Sequence, residues 1–214
     1  MSTYKLLKEV YYQIQDYYLY DLYQSLIQQY QTGGTLLEIG ALEAHISRSV
    51  ASYFDHVLAF DIEMDAIKKA NQLGPKNFFA FVHDMHKPLK DTFDMIIAPI
   101  DVFNHALNFE DFKKIIHIWT ACLKPSGIFI FDVLRCSYLE SLSDYEEPLK
   151  EGLIWKVERL DEPCMVKHII KAGDQVETHI EKSYDEKFIE TALNHLKLLK
   201  KHVLEDRIIY VYKK

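Results

Sequence analysis

Acidic side chains come at the ends of three short apolar segments of this 214-residue chain. Glu38 lies within LLEIG, Asp61 follows VLAF, and Asp84 follows FAFVH. If these segments are neighbouring parallel strands, their carboxyl ends meet at one edge of a sheet. Carboxylates that converge there repel one another unless a cation or several hydroxyl donors lie between them. A positively charged nucleoside with a ribose, such as S-adenosylmethionine, satisfies both conditions.

Asp61 carries a second signal, because it lies 21 positions beyond Gly40, the residue that follows the first segment. An acidic residue about twenty positions after such a glycine turn is well placed to accept hydrogen bonds from a ribose. An aspartate after a strand is also common as a helix cap or a loop residue. The occurrence of all three carboxylates at the same edge of the predicted sheet is therefore stronger evidence for a ligand site than any one of them.

A fourth apolar segment, FDMIIA, is followed by Pro99, Asp101, Asn104 and His105. A histidine at this edge suits a general base that deprotonates an oxygen or nitrogen, since its pKa lies near neutral pH. The alternative is a helix-terminal histidine bonded to the backbone. A transfer reaction that depends mainly on positioning needs no such base. Asp101, Asn104 and His105 are the catalytic candidates.

The elements that must position these residues follow from periodicity. Five apolar runs separated by helical stretches predict a doubly wound, mostly parallel α/β sheet, because parallel neighbours need crossover connections. The predicted strands of this core are Thr35–Ile39, His56–Phe60, Asn77–Val82, Phe93–Ala98 and Gly127–Val133. The predicted helices are Glu43–Phe54, Met64–Leu73, Val102–Leu107 and Phe109–Leu123.

The two ends of the chain show other patterns. Before the core, one amphipathic helix with apolar residues from Leu7 to Tyr18 and a second helix, Asp21–Tyr30, are predicted; this segment holds eight of the fourteen tyrosines. After it, three strands (Gly152–Arg159, Met165–Lys171 and Gln175–Lys182) predict an inserted antiparallel meander. A helix, Asp185–His195, leads to the strands Leu196–Val203 and Arg207–Tyr212, whose short connection requires an antiparallel hairpin. Trp155 and Tyr23 either line an acceptor site or pack in a core. A single domain is predicted. Its parts are an N-terminal helical lid (1–32), the core (35–135), the inserted antiparallel strands (150–183) and the final helix with its hairpin (185–214).

Composition excludes several classes of protein. The net charge is −7 with scattered lysine pairs, which disfavours nucleic acid as a partner. No apolar run reaches 18 residues and no signal peptide is recognisable, so neither a membrane partner nor export is expected. The three cysteines, Cys122, Cys136 and Cys164, have no C-x-x-C spacing. We therefore expect free thiols and a cytoplasmic location.

No metal site is expected. His83 and His86 flank Asp84, but no third ligand has a recognisable spacing. Glu177, His179 and Glu181 alternate and so share one face of a strand, for which a solvated face is the favoured interpretation.

The order LLEIGA, VLAFDIEMDAIKKA, FVHDM, FDMIIAPIDVFNHAL, LKPSGIFIFDV across residues 35–135 resembles class I S-adenosylmethionine-dependent methyltransferases. The terminal RIIYVYKK is similar to the antiparallel seventh strand of their Rossmann-like sheet. The start and the insertion resemble small bacterial members, in which V-Y-D and Y-x-x-W precede the first strand; Val10-Tyr11-Tyr12 and Tyr20-Asp21-Leu22-Tyr23 stand there in this chain.

This resemblance implies methyl transfer from S-adenosylmethionine to a small-molecule acceptor. It places Asp61 at the ribose with Ile62 beside the adenine, Asp84 at the adenine amino group, and the tyrosines over the cofactor. The residues from Asp101 to His105 would face the methyl group and the acceptor. The cofactor-binding candidates are Tyr11, Tyr20, Glu38, Gly40, Ala41, Asp61, Ile62, Asp84, Met85 and Pro99.

The cofactor loop departs from the family pattern E-x-G-x-G-x-G, because Leu42 and Ala44 replace two glycines. A left-handed backbone costs a residue with a Cβ about 1–2 kcal/mol, so Leu42 either points into the cleft or diverts the loop. The sequence thus leaves open a module that has lost cofactor binding. A nicotinamide-dependent oxidoreductase is a third reading, weakened because Leu42 and His45 occupy glycine positions of its fingerprint.

Overall fold

The computed structural model describes residues 4–14 and 17–214. Two sheets and seven α-helices make up this part of the chain. The helices are α1 (Lys5–Gln13), α2 (Tyr17–Tyr30), α3 (His45–Ser49), α4 (Met64–Leu73), α5 (Phe109–Ala121), α6 (Cys136–Ser141) and α7 (Glu186–Ala192). The strands are β1 (Thr35–Ile39), β2 (His56–Asp61), β3 (Phe78–Val82), β4 (Phe93–Ala98), β5 (Leu123–Leu134), β6 (Glu146–Pro148), β7 (Leu153–Arg159), β8 (Met165–Ala172), β9 (Gln175–Lys182), β10 (Lys197–Val203) and β11 (Arg207–Lys213).

The large sheet has seven strands in the order β10-β11-β5-β4-β1-β2-β3. Strands β1 to β5 pair in parallel, and β11 runs antiparallel to β5 and β10. Its central strands are buried on both faces, where aromatic side chains of β5 such as Phe129 and Phe131 pack against α5. This confirms the predicted fold, and the strand order reverses beside β1, where such sheets bind ligands.

The insertion is a four-stranded antiparallel sheet, β6-β7-β8-β9, rather than the predicted three strands. The additional strand β6 is only three residues long, which is too short for an alternation of apolar residues to reveal it. Helix α6, which precedes it, was also missed. A cluster that includes Trp155, Leu139 and Val10 packs this sheet against α6 and α1.

Several element boundaries differ from prediction. The helix expected over Glu43–Phe54 is α3 followed by one 3₁₀ turn, Ala51–Tyr53, and Val102–His105 is also a 3₁₀ turn. The first helix ends at Gln13, and Tyr18 belongs to α2. Residues 1–3 and 15–16 of the predicted N-terminal segment lie outside the described residues.

The prediction of free thiols is wrong for two of the three cysteines. Cys136 and Cys164 form a disulfide with their Cα atoms 4.7 Å apart, which joins the start of α6 to the turn before β8. Cys122 is free and buried. Spacing could not reveal the pair because 28 positions separate the two residues. Disulfides are rare in a reducing cytoplasm, so the cytoplasmic location stays a prediction.

Within the described residues, no helix combines the length and the apolar character needed to cross a membrane.

Candidate functional site

A cavity of about 370 Å³ lies at the carboxyl ends of β1, β2, β3 and β4, beneath α1 and the start of α2. Its size is that of a site for a cofactor or drug-sized molecule. The predicted cofactor-binding residues all line it, together with His105. The fold brings them together from the first 105 residues of the chain because four parallel strands end at the same edge.

The loop after β1 keeps the backbone path that glycines would give. Gly40, Leu42 and Ala44 have φ values of 64°, 46° and 54°, all in the left-handed region. A Cβ on Gly40 would lie 2.5 Å from Val102 Cγ2, so only glycine fits there. Ala44 is fully buried, whereas Leu42 lines the cavity. Of the two outcomes that the sequence left open, the structure favours the first, because the loop keeps its left-handed backbone and Leu42 lines the cavity.

Asp61 holds this loop and forms part of the cavity wall. Its Oδ2 accepts a hydrogen bond from Leu42 N at 2.9 Å, and its Oδ1 accepts one from Glu63 N at 2.8 Å. Burial raises the pKa of Asp61 above its ordinary value, although these N–H donors lower it. Each carboxylate oxygen keeps a second lone pair for a ligand hydroxyl.

Glu38 is buried beneath the same loop. Its Oε2 accepts a hydrogen bond from Ser47 N at 3.1 Å, which ties β1 to α3. Burial raises the pKa of Glu38 to about 7. At neutral pH this carboxyl is therefore partly protonated.

Asp84 closes the far side of the cavity in a network with His86. Asp84 Oδ1 lies 3.0 Å from His86 N and 2.9 Å from its Nδ1, and His86 Nε2 lies 3.2 Å from Asp111 Oδ2. The backbone N–H of His86 is the main cause that lowers the pKa of Asp84. The carbonyl of Met85 accepts a hydrogen bond from Trp119 Nε1 at 2.9 Å, so it is already engaged. His83 bonds the Lys87 carbonyl at 2.9 Å.

Tyrosines of α1 and α2 cover the cavity. Tyr11 donates its hydroxyl hydrogen bond to Asp101 Oδ2 at 2.6 Å. Tyr12 bonds Glu43, whose Oε1 also lies 2.8 Å from Lys69 Nζ. Tyr20 lies over His45 with ring centroids 6.3 Å apart. The N-terminal helices are thus fastened to the loop after β1 and to the end of β4.

The three catalytic candidates separate. His105 lines the cavity, where its ring lies 5.7 Å from the Tyr4 ring and 6.4 Å from the His179 ring. Asp101 is buried and lines a second, adjoining cavity. Asn104 lines neither: its amide donates to Lys182 O at 2.9 Å and accepts from Leu134 N at 3.1 Å. The placement of Asn104 at the site was wrong, because its side chain joins β5 to β9.

Sequence reasoning missed a polar network behind this edge. Arg207 Nη1 lies 3.1 Å from both Asp101 Oδ1 and Asp132 Oδ1. Asp132 is fully buried and also accepts from Ile100 N at 2.7 Å, Asp101 N at 2.8 Å and the Tyr23 hydroxyl. The only sequence signal was the single charge in IFIFDV, since an acidic residue within an apolar strand requires buried partners. Tyr23 therefore packs in the core and does not contact an acceptor.

The interpretation of a solvated face on β9 was also wrong. His179 and Glu181 are buried, and Glu177 accepts hydrogen bonds from Leu6 N at 2.9 Å and Leu7 N at 3.0 Å. His179 Nε2 lies 2.6 Å from Glu177 Oε1, and its ring stacks on Tyr4 at 4.6 Å. Burial lowers the pKa of His179 despite this carboxylate. This face is covered by α1, whose packing could not be read from the alternation alone.

Comparison with known proteins agrees with this geometry. Residues 37–131 match the family model described as "Methyltransferase domain". The core of this chain is therefore similar to methyltransferase domains. The resemblance found in the sequence is thereby confirmed. No curated protein sequence matches the chain.

Solved methyltransferases share the fold over nearly the whole chain. An S-adenosylmethionine-dependent methyltransferase from Clostridium acetobutylicum is 21% identical, with a TM-score of 0.81 and 98% of each chain covered. CalS10, an amino pentose methyltransferase from Micromonospora echinaspora solved with S-adenosylmethionine, is 13% identical, with a TM-score of 0.72 over 98% of this chain and 96% of its own. NodS, an N-methyltransferase from Bradyrhizobium japonicum solved with S-adenosyl-l-homocysteine, is 15% identical, with a TM-score of 0.67 over 100% and 99%. S-adenosylmethionine is the cofactor that the family and these structures support.

Proposed function

We propose that this chain binds S-adenosylmethionine in the 370 Å³ cavity and transfers its methyl group to a small-molecule acceptor. The observation that carries the proposal is the convergence of the cofactor-binding candidates on one cavity within a methyltransferase domain. When bound, the sulfonium supplies an already activated methyl group. We also propose that the chain works as one domain with four parts. These are a helical lid (1–32), a cofactor-binding core (35–135), the insertion (150–183) and a final helix with a hairpin (185–214).

The residues present fit this cofactor. Asp61 offers free lone pairs for ribose hydroxyls, and the negative wall of Asp61 and Asp84 suits a cation. Ile62 is 53% exposed and forms an apolar side of the cavity. The tyrosines Tyr11 and Tyr20 shield the cavity from water.

His105 is the catalytic candidate that lines the cavity together with the cofactor-binding candidates, and we propose that it contacts the acceptor. Asn104 positions it from behind by holding β5 and β9 together. Since transfer to a well-placed nucleophile needs little more than alignment, we expect His105→Ala to slow transfer while leaving cofactor affinity unchanged.

Isothermal calorimetry with S-adenosylmethionine and S-adenosyl-l-homocysteine tests the proposal. Ile62→Ala should weaken binding about fivefold, because it removes about 1 kcal/mol of apolar burial. Leu73→Ala is the matched control, since Leu73 is also 53% exposed and does not line the cavity. No heat of binding at millimolar ligand for the natural chain contradicts the proposal.

The second candidate function is a binding or regulatory module that no longer takes the cofactor. The presence of Leu42, with its bulky side chain, in the cavity wall is the observation that favours it. Leu42→Gly combined with Ala44→Gly restores the glycine pattern and removes a bulky residue from the cavity wall, which should tighten cofactor binding by about tenfold. If binding occurs only in this double variant, the natural chain is such a module and the methyltransferase proposal fails.

A further inference from the structure

A second cavity of about 110 Å³ adjoins the cofactor cavity, with which it shares Leu7, Tyr11, Tyr20 and Ile100. Its size suits one end of a small molecule. Most of its wall is apolar and comes from α1, α2, α6, β5 and β7. The apolar residues are Val10, Ile14, Leu19, Leu134, Leu142 and Trp155.

The floor of this second cavity is charged. Asp101, His168, Glu181 and Arg207 line it, and each is less than a tenth exposed. Charged groups are rarely buried without partners. The charge and the hydrogen-bond partners of each group therefore decide which ligand the cavity can bind.

The Arg207 guanidinium cannot balance the carboxylates around it. Its Nη1 is shared between Asp101 and Asp132, and its Nε bonds Asp206 Oδ2 at 2.7 Å. One positive charge thus faces three carboxylates before Glu181 is considered. An anionic ligand would compete with all of them for this one cation.

His168 does not neutralise Glu181 either. Trp155 Nε1 can only donate, and it donates to His168 Nδ1 at 3.1 Å. The imidazole proton therefore lies on Nε2, which makes the ring neutral in this arrangement. Nε2 is 3.2 Å from Glu181 Oε2 but is not aligned for a hydrogen bond. The carboxylate raises the pKa of His168 against the effect of burial, but protonating Nδ1 would break its bond with Trp155.

Glu181 is therefore the unusual group of this floor. It is 2% exposed, and its Oε2 lies 3.2 Å from Nε2 of His168. Because a neutral imidazole does not balance the negative charge of this buried carboxylate, the charge is unfavourable until a ligand compensates it. An ammonium group supplies both the donors and the missing positive charge.

We infer that the methyl acceptor is an amine, whose ammonium group binds between Asp101 and Glu181 while its apolar part lies against the lid and Trp155. This inference rests on the proposed function and names the substrate class of its site. Glu181 recognises the cation, and Tyr11 holds Asp101 through the hydrogen bond to its Oδ2.

The two carboxylates take different roles in the transfer. Burial raises the pKa of Asp101 to about 6, although Arg207 opposes this. A carboxylate whose pKa lies near neutral pH suits the role of proton acceptor. Asp101 takes one proton from the ammonium group, and the freed nitrogen lone pair forms the new N–C bond. The S–C bond breaks with its electron pair staying on sulfur, so the products are a methylated ammonium and a neutral thioether.

Matched pairs of amines and alcohols test the inference. Benzylamine with benzyl alcohol and cyclohexylamine with cyclohexanol are titrated calorimetrically into the natural chain, with and without S-adenosyl-l-homocysteine. We expect each amine to bind about tenfold or more tightly than its alcohol, because a charge-assisted hydrogen bond is lost with the alcohol. Glu181→Gln should reduce this preference to about twofold, and Glu158→Gln, a control on the surface of the same insertion, should leave it unchanged.

Circular dichroism and the affinity for S-adenosyl-l-homocysteine check that Glu181→Gln is folded. Equal binding of amines and alcohols, or binding of neither, overturns the inference. A preference for amines in a chain that binds no S-adenosyl-l-homocysteine supports the cation site and contradicts only the proposed methyl transfer. The two failures are therefore distinguishable.

Discussion

The two cavities are built in different ways. The cofactor cavity is formed by loops that directly follow β1 to β4, and most of its wall residues lie within six positions of a strand end. The second cavity and its lid depend on contacts between distant residues, such as Glu177 with Leu6, 171 positions apart, and Arg207 with Asp101, 106 apart. The first can be read from local patterns, whereas the second exists only once the insertion and β11 have docked.

Of the substitutions that test this comparison, replacement of Asp132 should have the largest effect on stability. Asp132→Ala leaves the Tyr23 hydroxyl and two backbone N–H groups without their acceptor and removes one of the carboxylates that bind Arg207, and we expect a loss of about 3–5 kcal/mol in the free energy of unfolding. Urea denaturation measures it. Asp161→Ala, at an exposed turn, should change stability by less than about 0.5 kcal/mol. Similar losses in both variants would mean that the network does not hold the two regions together.

The disulfide between Cys136 and Cys164 cross-links only the part of the chain that surrounds the second cavity. Cys136→Ser should destabilise the chain by about 3 kcal/mol, because the 28-position loop is then free in the unfolded state. Urea titration under oxidising conditions measures this, and Cys122→Ser is the control with a free thiol. An equal effect of a reducing agent on the Cys136→Ser variant and on the natural chain would contradict the assignment.

Glu38 gives the cofactor region its own pH dependence. Because its folded pKa, about 7, lies above the model-peptide range, the folded state binds more protons and stability falls as pH rises from about 4.5 to 7. Below that window the contribution is fully present. Glu38→Gln should flatten the fall by about 3 kcal/mol, measured by urea unfolding at several pH values. If the free energy of unfolding falls with pH as steeply in the variant as in the natural chain, Glu38 does not have this role.

Glu177 fastens α1, and its removal has the smallest and most local effect. Glu177→Ala should lower the opening free energy of the α1 amides by about 1–2 kcal/mol while β1, β4 and β5 keep their protection. Hydrogen exchange followed by mass spectrometry measures both regions. Glu158→Ala is the control. Loss of protection in the central strands would show that the lid and the core do not open separately.

Sequence patterns alone predicted much of the core. Continuous apolar runs such as MIIAPI located buried strands. The acidic residues at their ends line the 370 Å³ cavity, because parallel strands bring their last residues to one common edge whatever their neighbours are. The sequence left open whether the loop at Leu42 and Ala44 would be diverted, and the structure keeps both residues at a positive φ.

The second cavity depended on the tertiary structure. Alternation placed Glu177, His179 and Glu181 on one face of a strand, but it could not tell which face α1 would cover. Spacing could not pair Cys136 with Cys164, nor bring Arg207 to Asp101 and Asp132. The physical reason is that periodicity reports which residues share a surface, while burial and ion pairing depend on what packs against that surface from elsewhere in the chain.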